Sequence, residues 1–313
     1  MKEIENRVNK LCSMLGIDIP IFQGAMAHIA DHRLSAAVSE CGGLGILAAG
    51  GLEPEQLERE ICELQKRTKR NFAVNIALKS EHVEDIISVL KKQKVPIVVT
   101  GAGNPEKYIS ELKEYGALII PVVASVSLAK RLERYGVDAV IAEGSESGGH
   151  IGNTNSMCLI PQVVDTVNIP VIAAGGIADG RGMAAALILG ACAVQMGTRF
   201  LVSLESPAHK KYKEMLLKAK DISTVVLNTT QNDQDNIRAV RSSLTGKYLQ
   251  AEFDGSENPG WMLKDALKLA AWEGDANQGI FMAGQCAGMI KEELSVEAIL
   301  KQTWEQAKEY LML

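Results

Sequence analysis

The sequence predicts a (β/α)8 TIM barrel, a closed ring of eight parallel strands with helices outside, that carries an appended C-terminal helical lid. Eight short apolar runs recur through the first two-thirds of the 313 residues, at intervals of roughly 20–32 residues that suit one strand and one helix each. Aromatic residues make up only 4% of the chain, and Ala, Val, Ile and Leu supply the apolar bulk. That composition is typical of parallel strands that are buried on both faces.

A helical pattern separates each predicted strand from the next. Asp179 is placed to cap the helix after the seventh strand, and Gly190 is placed to end it. A doubly wound open sheet is the alternative, but eight regular repeats favour closure. The predicted strands are Ile19–Gln23, Leu44–Ala48, Phe72–Ala77, Val95–Thr100, Leu118–Val123, Asp138–Ala142, Ile169–Ala174 and Cys192–Met196.

The chain divides into three predicted parts. Residues 1–220 are expected to form the barrel, and residues 221–290 an inserted lid, because the strand–helix rhythm stops there. Residues 291–313 are expected to pack back on the barrel as a helix. The apolar spacing predicts helices over Trp261–Ala271 in the lid and over Val296–Leu311 at the end.

Composition excludes several classes of protein. The net charge of −5 argues against a nucleic-acid-binding protein and against a protein of anionic membrane surfaces. No apolar run reaches the ~18–20 residues that span a bilayer, and the first residues lack a signal peptide. The six cysteines include no Cys-x-x-Cys pair, so we expect reduced thiols in a cytoplasmic protein.

Two strand–glycine turns predict a phosphate-binding site. The strand over Ile169–Ala174 ends at Gly175 and Gly176, and the next strand ends at Gly197 and Thr198. The loops after the last two strands of such barrels are the usual place where a phosphate binds, because backbone N–H groups converge there. The sequence therefore predicts a phosphate-bearing ligand.

The ends of the other strands predict a flat ligand. Small residues dominate them, and a broad ligand across the barrel mouth needs that clearance. The sparse polar groups are Gln23, Asn75, Thr100 and Glu143, whose amide, hydroxyl and carboxyl groups suit the edge of a heteroaromatic ring. For Asn75 the alternative is a structural amide that bridges two strands.

One histidine is a candidate catalytic residue. His150 lies in the segment Glu143-Gly-Ser-Glu-Ser-Gly-Gly-His-Ile-Gly152, a glycine-rich loop at the end of the sixth strand, and imidazole titrates near neutral pH. The alternative is a mobile surface loop with an incidental histidine. His28 follows the first strand and could also reach the site. No spacing typical of metal ligands occurs, so we expect no metal.

Basic residues form a separate group in the chain. They include His209, Lys213, Lys220, Arg238 and Arg241. A solvated helix face explains such a group best. The alternative is a docking patch for an acidic carrier protein or for a pyridine-nucleotide phosphate.

Several segments together resemble the flavin-dependent (β/α)8 barrels that include nitronate monooxygenases and the FMN-dependent (type II) enoyl-acyl-carrier-protein reductases. The resemblance covers nearly the whole chain. Glu143 and Ile151 around the Gly-Gly-His loop, and the run Met282-Ala-Gly-Gln-Cys-Ala-Gly288, look like the reductases. The segments that carry it are Pro20–Met26, Gly42–Gly45, Ala73–Ile76, Thr100–Pro105, Ala142–Gly152, Ala173–Gly176 and Gln195–Phe200.

The resemblance implies that the ligand is FMN. Its phosphate would bind at Gly175, Gly176, Gly197 and Thr198. Its ring would lie against a second set of residues that share the barrel mouth, namely Gly24, Ala25, Met26, Asn75, Glu143, Ala174, Gln195 and Met196.

The resemblance further implies an enoyl-acyl-carrier-protein reductase that uses NADH or NADPH, with His150 stabilising the enolate or protonating Cα. Its substrate would be an acyl-carrier protein or acyl-CoA thioester, and we expect a homodimer. The alternatives are a nitronate monooxygenase and a non-redox barrel that binds a sugar phosphate. Two departures bear on the substrate: His28 stands where relatives usually carry Trp, and Thr229–Asn236 lacks their Gly-His pair.

Overall fold

The computed structural model describes residues 2–228, 236–255 and 259–312. Most of the predicted loop over Thr229–Asn236 lies outside the described residues. The strands are β1 (Ile21–Gln23), β2 (Ile46–Ala48), β3 (Ala73–Ala77), β4 (Ile97–Gly101), β5 (Leu118–Val123), β6 (Val140–Glu143), β7 (Gly149–Ile151), β8 (Val171–Ala174), β9 (Ala193–Met196), β10 (Thr224–Asn228) and β11 (Asn236–Val240).

Helices fill the intervals between the barrel strands and continue beyond them. They are α1 (Lys2–Leu15), α2 (His32–Glu40), α3 (Pro54–Arg67), α4 (Val83–Lys92), α5 (Glu106–Glu114), α6 (Val126–Arg134), α7 (Ser156–Val164), α8 (Gly180–Ile188), α9 (Thr198–Leu201), α10 (Lys210–Leu217), α11 (Ser243–Phe253), α12 (Ala266–Lys268) and α13 (Val296–Leu311).

Eight parallel strands form a nearly closed barrel in the order β1-β9-β8-β6-β5-β4-β3-β2. Strand β1 pairs with β9 in regular register, whereas one bridge between Phe22 and Leu44 joins it to the chain before β2. The buried Gln23 side chain completes this junction, because its amide bonds both the N–H and the carbonyl of Ile46 (3.1 and 3.2 Å). The predicted barrel is confirmed, with all eight predicted strands present.

The termini pack on the barrel core. Helix α1, which the sequence analysis did not predict, buries Val8, Leu11 and Leu15 in the main apolar cluster. The predicted terminal helix is confirmed as α13, which packs against α8. The contact is close: a Cβ at Gly180 would lie 2.6 Å from the backbone nitrogen of Ala307.

The segment after the barrel contains strands as well as helices. Strands β10 and β11 form an antiparallel sheet with β7, in the order β10-β11-β7. In place of one helix over Trp261–Ala271, the structure has a 3-10 turn over Pro259–Leu263, the short α12 and a π-helix over Leu269–Glu273. Asp265 interrupts the helix because its backbone is left-handed (φ 57°).

Membrane-spanning helices, metal-binding clusters and cysteines were further subjects of the sequence predictions. Within the described ranges, no helix is long and apolar enough to cross a membrane, and no cluster of three or more His, Cys, Asp or Glu side chains could hold a metal ion. All six cysteines are free thiols, and Cys158 is exposed on the surface whereas Cys12, Cys192 and Cys286 are buried.

Two glycines allow a test of the packing between β2 and α2. A Cβ at Gly45 would overlap the backbone carbonyl of Ser35, whereas a Cβ at Gly246 in α11 would meet no atom within 4 Å. We expect Gly45→Ala to lower the free energy of unfolding by about 1–3 kcal/mol through overpacking. Gly246→Ala should raise it by about 0.5–1 kcal/mol, because alanine is the better helix former. Urea denaturation of both variants measures this, and an unaltered midpoint for Gly45→Ala would contradict it.

Candidate active site

One row of register partners crosses the carboxyl ends of three strands. Glu143 of β6 lies opposite Ala174 of β8, and Ala174 lies opposite Gln195 of β9. Register partners on neighbouring parallel strands project their side chains to the same face of the sheet. The carboxyl group and the amide therefore stand on either side of one small residue.

Asn75 occupies the corresponding level on the other side of the barrel. It lies in β3 opposite Ala48 of β2 and Val99 of β4. Its Oδ1 atom would lie 3.8 Å from a Cβ built on Gly101, so its side chain faces the carboxyl end of β4. The structure thus brings the amide of Asn75 to the same end of the barrel as Glu143 and Gln195.

Glycines give the mouth its open surface between β1 and β9. Gly24 donates its N–H to the carbonyl of Met196 (2.9 Å), and a Cβ there would lie 3.3 Å from the Cα of Gly197. A Cβ at Gly197 would meet nothing closer than the Met26 sulfur at 3.9 Å. Gly197 therefore faces space that a ligand could fill, next to the predicted ring-binding residues Gly24–Met26.

The turn between β8 and α8 has a different environment. Gly175 and Gly176 both have left-handed backbone (φ 101° and 75°), which explains their identity. A Cβ at Gly176 would lie 3.2 Å from the Cβ of Glu146, and one at Gly175 would lie 2.8 Å from the Ser156 hydroxyl. The Cβ positions of these two glycines are thus taken up by protein, and any ligand must meet their backbone.

Sequence reasoning missed Glu146 and Ser156. The carboxylate of Glu146 accepts the N–H of Ser156 at 2.9 Å and caps the start of α7. The Ser156 hydroxyl lies 3.0 Å from the carbonyl of Gly175. Each residue has an ordinary polar loop pattern in the sequence, so only the fold reveals that they fix the predicted phosphate turn.

On the eight barrel strands, two buried polar side-chain atoms have no hydrogen-bond partner among the described residues. They are Oε1 of Gln195 and Oγ1 of Thr100. Buried polar groups are almost always paired, so such atoms mark positions where a bound group is expected. Gln23, by contrast, uses its amide within the protein, at the junction between β1 and β2.

Glu143 has an unusually high pKa for a carboxyl group. Burial raises its pKa to about 7, and a hydrogen bond from Ser147 opposes that rise. The carboxyl group is therefore close to half protonated near neutral pH. Perturbed carboxyl groups of this kind concentrate at functional sites.

The predicted glycine-rich loop ends in a strand. His150 lies exposed in β7, opposite Ile237 of β11. The buried guanidinium of Arg238 donates to the carbonyl of Ser145 from Nε (3.1 Å) and Nη2 (2.9 Å). The loop that carries His150 is thus held by backbone pairing and by a bidentate contact.

The run Met282–Gly288 closes over the same loop. The N–H of Gly284 donates to the hydroxyl of Thr198 (3.0 Å), and the N–H of Gln285 donates to the carbonyl of Glu146 (2.9 Å). A Cβ at Gly148 would lie 2.6 Å from the backbone of Ala283, so this packing requires glycine. The run thereby links the turn after β9 to the loop after β6.

The basic group of the sequence does not form one exposed patch. Lys213 is buried and donates to the carbonyl of Ser203 (2.6 Å) and to Glu293 (2.7 Å). Arg238 is buried at the loop described above. Both cations stabilise the fold, and because they are buried they cannot belong to an exposed docking patch.

His28 joins the barrel mouth to the appended segment. Its backbone is left-handed (φ 65°), its ring meets Trp272 edge-on at 5.4 Å, and the indole N–H donates to its carbonyl (3.0 Å). The ring lies against Gly51, where a Cβ would be 2.5 Å away. Its Nδ1 atom is buried and has no partner among the described residues.

The fold and this glycine-lined mouth define a (β/α)8 barrel with room for a flat ligand at Gly24 and Gly197. The sequence profile of the nitronate monooxygenase family matches residues 9–306. The chain therefore belongs to the nitronate monooxygenase family. Members of this family are flavin-dependent oxidoreductases.

Known relatives of the chain carry more than one name. The structure of FabK from Thermotoga maritima matches with a TM-score of 0.94 and 48% identity, covering 97% of each chain. A probable nitronate monooxygenase of Staphylococcus saprophyticus is 34% identical over 96% of this chain and 98% of its own. A Rhodococcus jostii dehydrogenase of a hydroxy-methyl-oxo-octahydroindene carboxyl-CoA is 33% identical over 91% of this chain and 84% of its own.

The residues of the mouth fit a flavin. Its planar ring needs close backbone approach, which Gly24 and Gly197 allow, and hydrogen-bond partners at its edge, which the unpaired Gln195 oxygen offers. Asn75 and Glu143 stand at the same end of the barrel. The fit rests on these five residues of the chain itself.

Gly197 is the best position to test ligand placement. Its φ of −97° suits any residue, and its Cβ direction is open, so Gly197→Val should lose less than about 1 kcal/mol of stability. The side chain would fill ligand space, and we expect FMN affinity to fall about tenfold to a hundredfold. Flavin fluorescence measures the affinity. Gly246→Ala is the control, and wild-type affinity in a folded Gly197→Val protein would refute the placement.

His28 should titrate below the ordinary pKa of a histidine. Burial, and secondly the charge of Lys268, lower its pKa from the ordinary 6.5, while Asp265 opposes them. The folded state prefers the neutral ring, so this contribution to stability is complete above pH 6.5 and declines as the pH falls through the lowered value. NMR titration of the imidazole protons measures the pKa.

Lys268→Met is the matched variant for that titration. We expect it to raise the His28 pKa only in part, because burial is the larger cause. A His28 pKa at or above 6.5 in the wild-type protein would contradict the packing against Trp272 and Gly51.

Proposed function

We propose that the chain is an FMN-dependent enoyl-acyl-carrier-protein reductase that uses NADH or NADPH and reduces trans-2-enoyl thioesters. The observation that carries this proposal is the 48% identity to FabK over 97% of both chains, with a TM-score of 0.94. The relative from Rhodococcus jostii, named for a carboxyl-CoA substrate, adds support for a thioester.

Two sets of residues at the mouth would bind the phosphate and the ring of the flavin. The bound flavin would supply two-electron chemistry between the nicotinamide and the enoyl thioester. The backbone of Gly175, Gly176, Gly197 and Thr198 would bind its phosphate. Gly24, Ala25, Met26, Asn75, Glu143, Ala174, Gln195 and Met196 would hold its ring. Small residues at both places let the ring and the substrate approach within the ~3–3.5 Å that transfer requires.

His150 would act on the thioester. Negative charge develops on the thioester oxygen and on Cα when the β-carbon is reduced, so a hydrogen-bond or proton donor is needed there. His150 is exposed and held by the pairing of β7 with β11, which leaves its imidazole accessible from the solvent side. Because β11 belongs to residues 221–290, we propose that this lid contributes to substrate selection.

The proposal extends to partners and location. The thioester would be carried by an acyl-carrier protein or by CoA. The protein would work as a homodimer in the cytoplasm. The carrier follows from the proposed reaction, the location is supported by the six free thiols, and the homodimer rests on the resemblance to the reductases alone.

Nitronate monooxygenase activity is the second candidate. It is favoured by the family profile over residues 9–306 and by the name of the Staphylococcus saprophyticus relative. In that reaction the same mouth would hold an anionic nitronate, and His150 would act as a base or anion-binding group. A non-redox sugar-phosphate barrel has less support, because the family is flavin-dependent.

One anaerobic experiment separates these functions. The purified protein is reduced with NADH, the loss of flavin absorbance is recorded, and either crotonyl thioester or a nitronate is then added. Recovery of absorbance with the thioester alone supports the reductase. Failure of NADH to reduce the flavin, together with turnover of a nitronate in oxygen, refutes it. A protein with no flavin absorbance refutes both redox functions.

His150→Ala should separate the two halves of the reaction. We expect the half-reaction with an enoyl thioester to slow by ~10²–10⁴-fold, as for loss of a general acid. The half-reaction with NADH should change much less, because it depends on alignment more than on proton transfer. Rapid mixing measures both, and the NADH half-reaction is the internal control. An unaltered thioester half-reaction would return His150 to a structural role.

A further inference from the structure

The carboxyl group of Glu143 stands where a ring lying on Ala174 would touch it. The register places Glu143 and Gln195 on the same face, one strand to either side of Ala174. Gln195 has a buried carbonyl oxygen without a partner among the described residues. A flat group seated on Ala174 would therefore meet two side chains at once, and one of them can supply or accept a proton.

The charges around Glu143 do not favour an anion. The neighbouring strands β5, β8 and β9 carry no ionisable side chain. The loop after β6 and the strands paired with it carry the titratable groups Glu146, His150 and Arg238, and α7 adds the exposed thiol of Cys158. Burial and the Ser147 hydroxyl account for the shift in the Glu143 pKa. Arg238 is committed to the Ser145 carbonyl and the Thr224 hydroxyl (3.3 Å), and Glu146 is itself acidic.

A bound ring would further favour the neutral acid form of Glu143. Covering a half-buried carboxyl group with an uncharged ring removes water and brings no cation, and both changes favour the neutral acid. Burial already raises the pKa of Glu143 to about 7 before any ligand binds, with only the Ser147 hydroxyl opposing it. With the ring bound, the Glu143 carboxyl group would therefore be protonated.

We propose that Glu143 binds the flavin as a neutral carboxylic acid, donating its O–H to an acceptor atom on the ring edge, so that flavin binding takes up one proton. This rests on the flavin-binding part of the proposed function and is independent of which substrate is reduced or oxidised. The proton goes from solvent to the Glu143 carboxyl oxygen, and no bond of the flavin changes.

The proposal has a measurable consequence for affinity. If only the acid form binds, FMN affinity should fall by up to about 50-fold between pH 7 and pH 9, given a pKa of about 7 in the free protein. At pH 8 binding should take up about 0.9 proton per FMN. The phosphate of FMN is already nearly fully ionised over this range, since its second pKa is ≈ 6.

The experiment uses the holoenzyme and two variants. Holoenzyme is diluted at each pH, and released FMN is measured by its fluorescence. Glu143→Gln keeps a donor that does not titrate, so its affinity should vary less than about threefold over the same range. Glu309→Gln removes an exposed carboxyl group on the outer helix α13 and should keep the wild-type affinity and pH slope. Calorimetry of the wild-type protein in two buffers of different ionisation enthalpy counts the proton without any variant.

The outcomes separate this proposal from the function above. Proton release, or affinity that rises with pH, would mean that Glu143 accepts a hydrogen bond as a carboxylate, and it would overturn the proposal. Equal pH slopes for the wild-type protein and Glu143→Gln would overturn it as well, and the reductase assignment would stand. A protein that neither holds nor takes up FMN would overturn both.

Discussion

Closure of the barrel at β1 is the constraint on which the rest of the structure depends. Strand β1 has three residues, and its backbone reaches β9 on one side but only Leu44 on the other. The buried amide of Gln23 supplies the missing pairing by bonding both polar groups of Ile46. Because the ring closes here, the carboxyl ends of all eight strands converge on one mouth. An open sheet would leave Asn75 and Gln195 at separate edges.

Convergence alone would fill the mouth with side chains, and glycine prevents this. Gly24 and Gly197 let β1 and β9 end in close contact while the Cβ direction of Gly197 stays open. Gly175 and Gly176 need left-handed backbone, and protein atoms occupy the space around them. Glycine is therefore needed for two reasons: it leaves open space at Gly197 after β9, and it permits the left-handed backbone of Gly175 and Gly176 after β8.

The appended segment completes the site by strand pairing and packing. Strand β11 pairs with β7 and so holds the strand of His150, while its Arg238 holds the loop before it. On the opposite side, Trp272 contacts His28 from a π-helix, a form that often occurs at functional sites. Members of a flavin-dependent family share the barrel, so we expect differences in substrate to arise from segments such as this one.

The sequence by itself determined the barrel, its eight strands, the terminal helix and the residues that converge at the mouth, because strand and helix periodicity and glycine turns are local signals. It did not reveal helix α1, strands β10 and β11, or the break at Asp265. The tertiary structure alone decided that Gln23 closes the barrel, that Glu146 and Ser156 hold the turn after β8, that Arg238 is structural, and that the pKa of Glu143 is raised. The physical reason is that burial and hydrogen-bond partners depend on contacts between residues far apart in the chain, which no local pattern encodes.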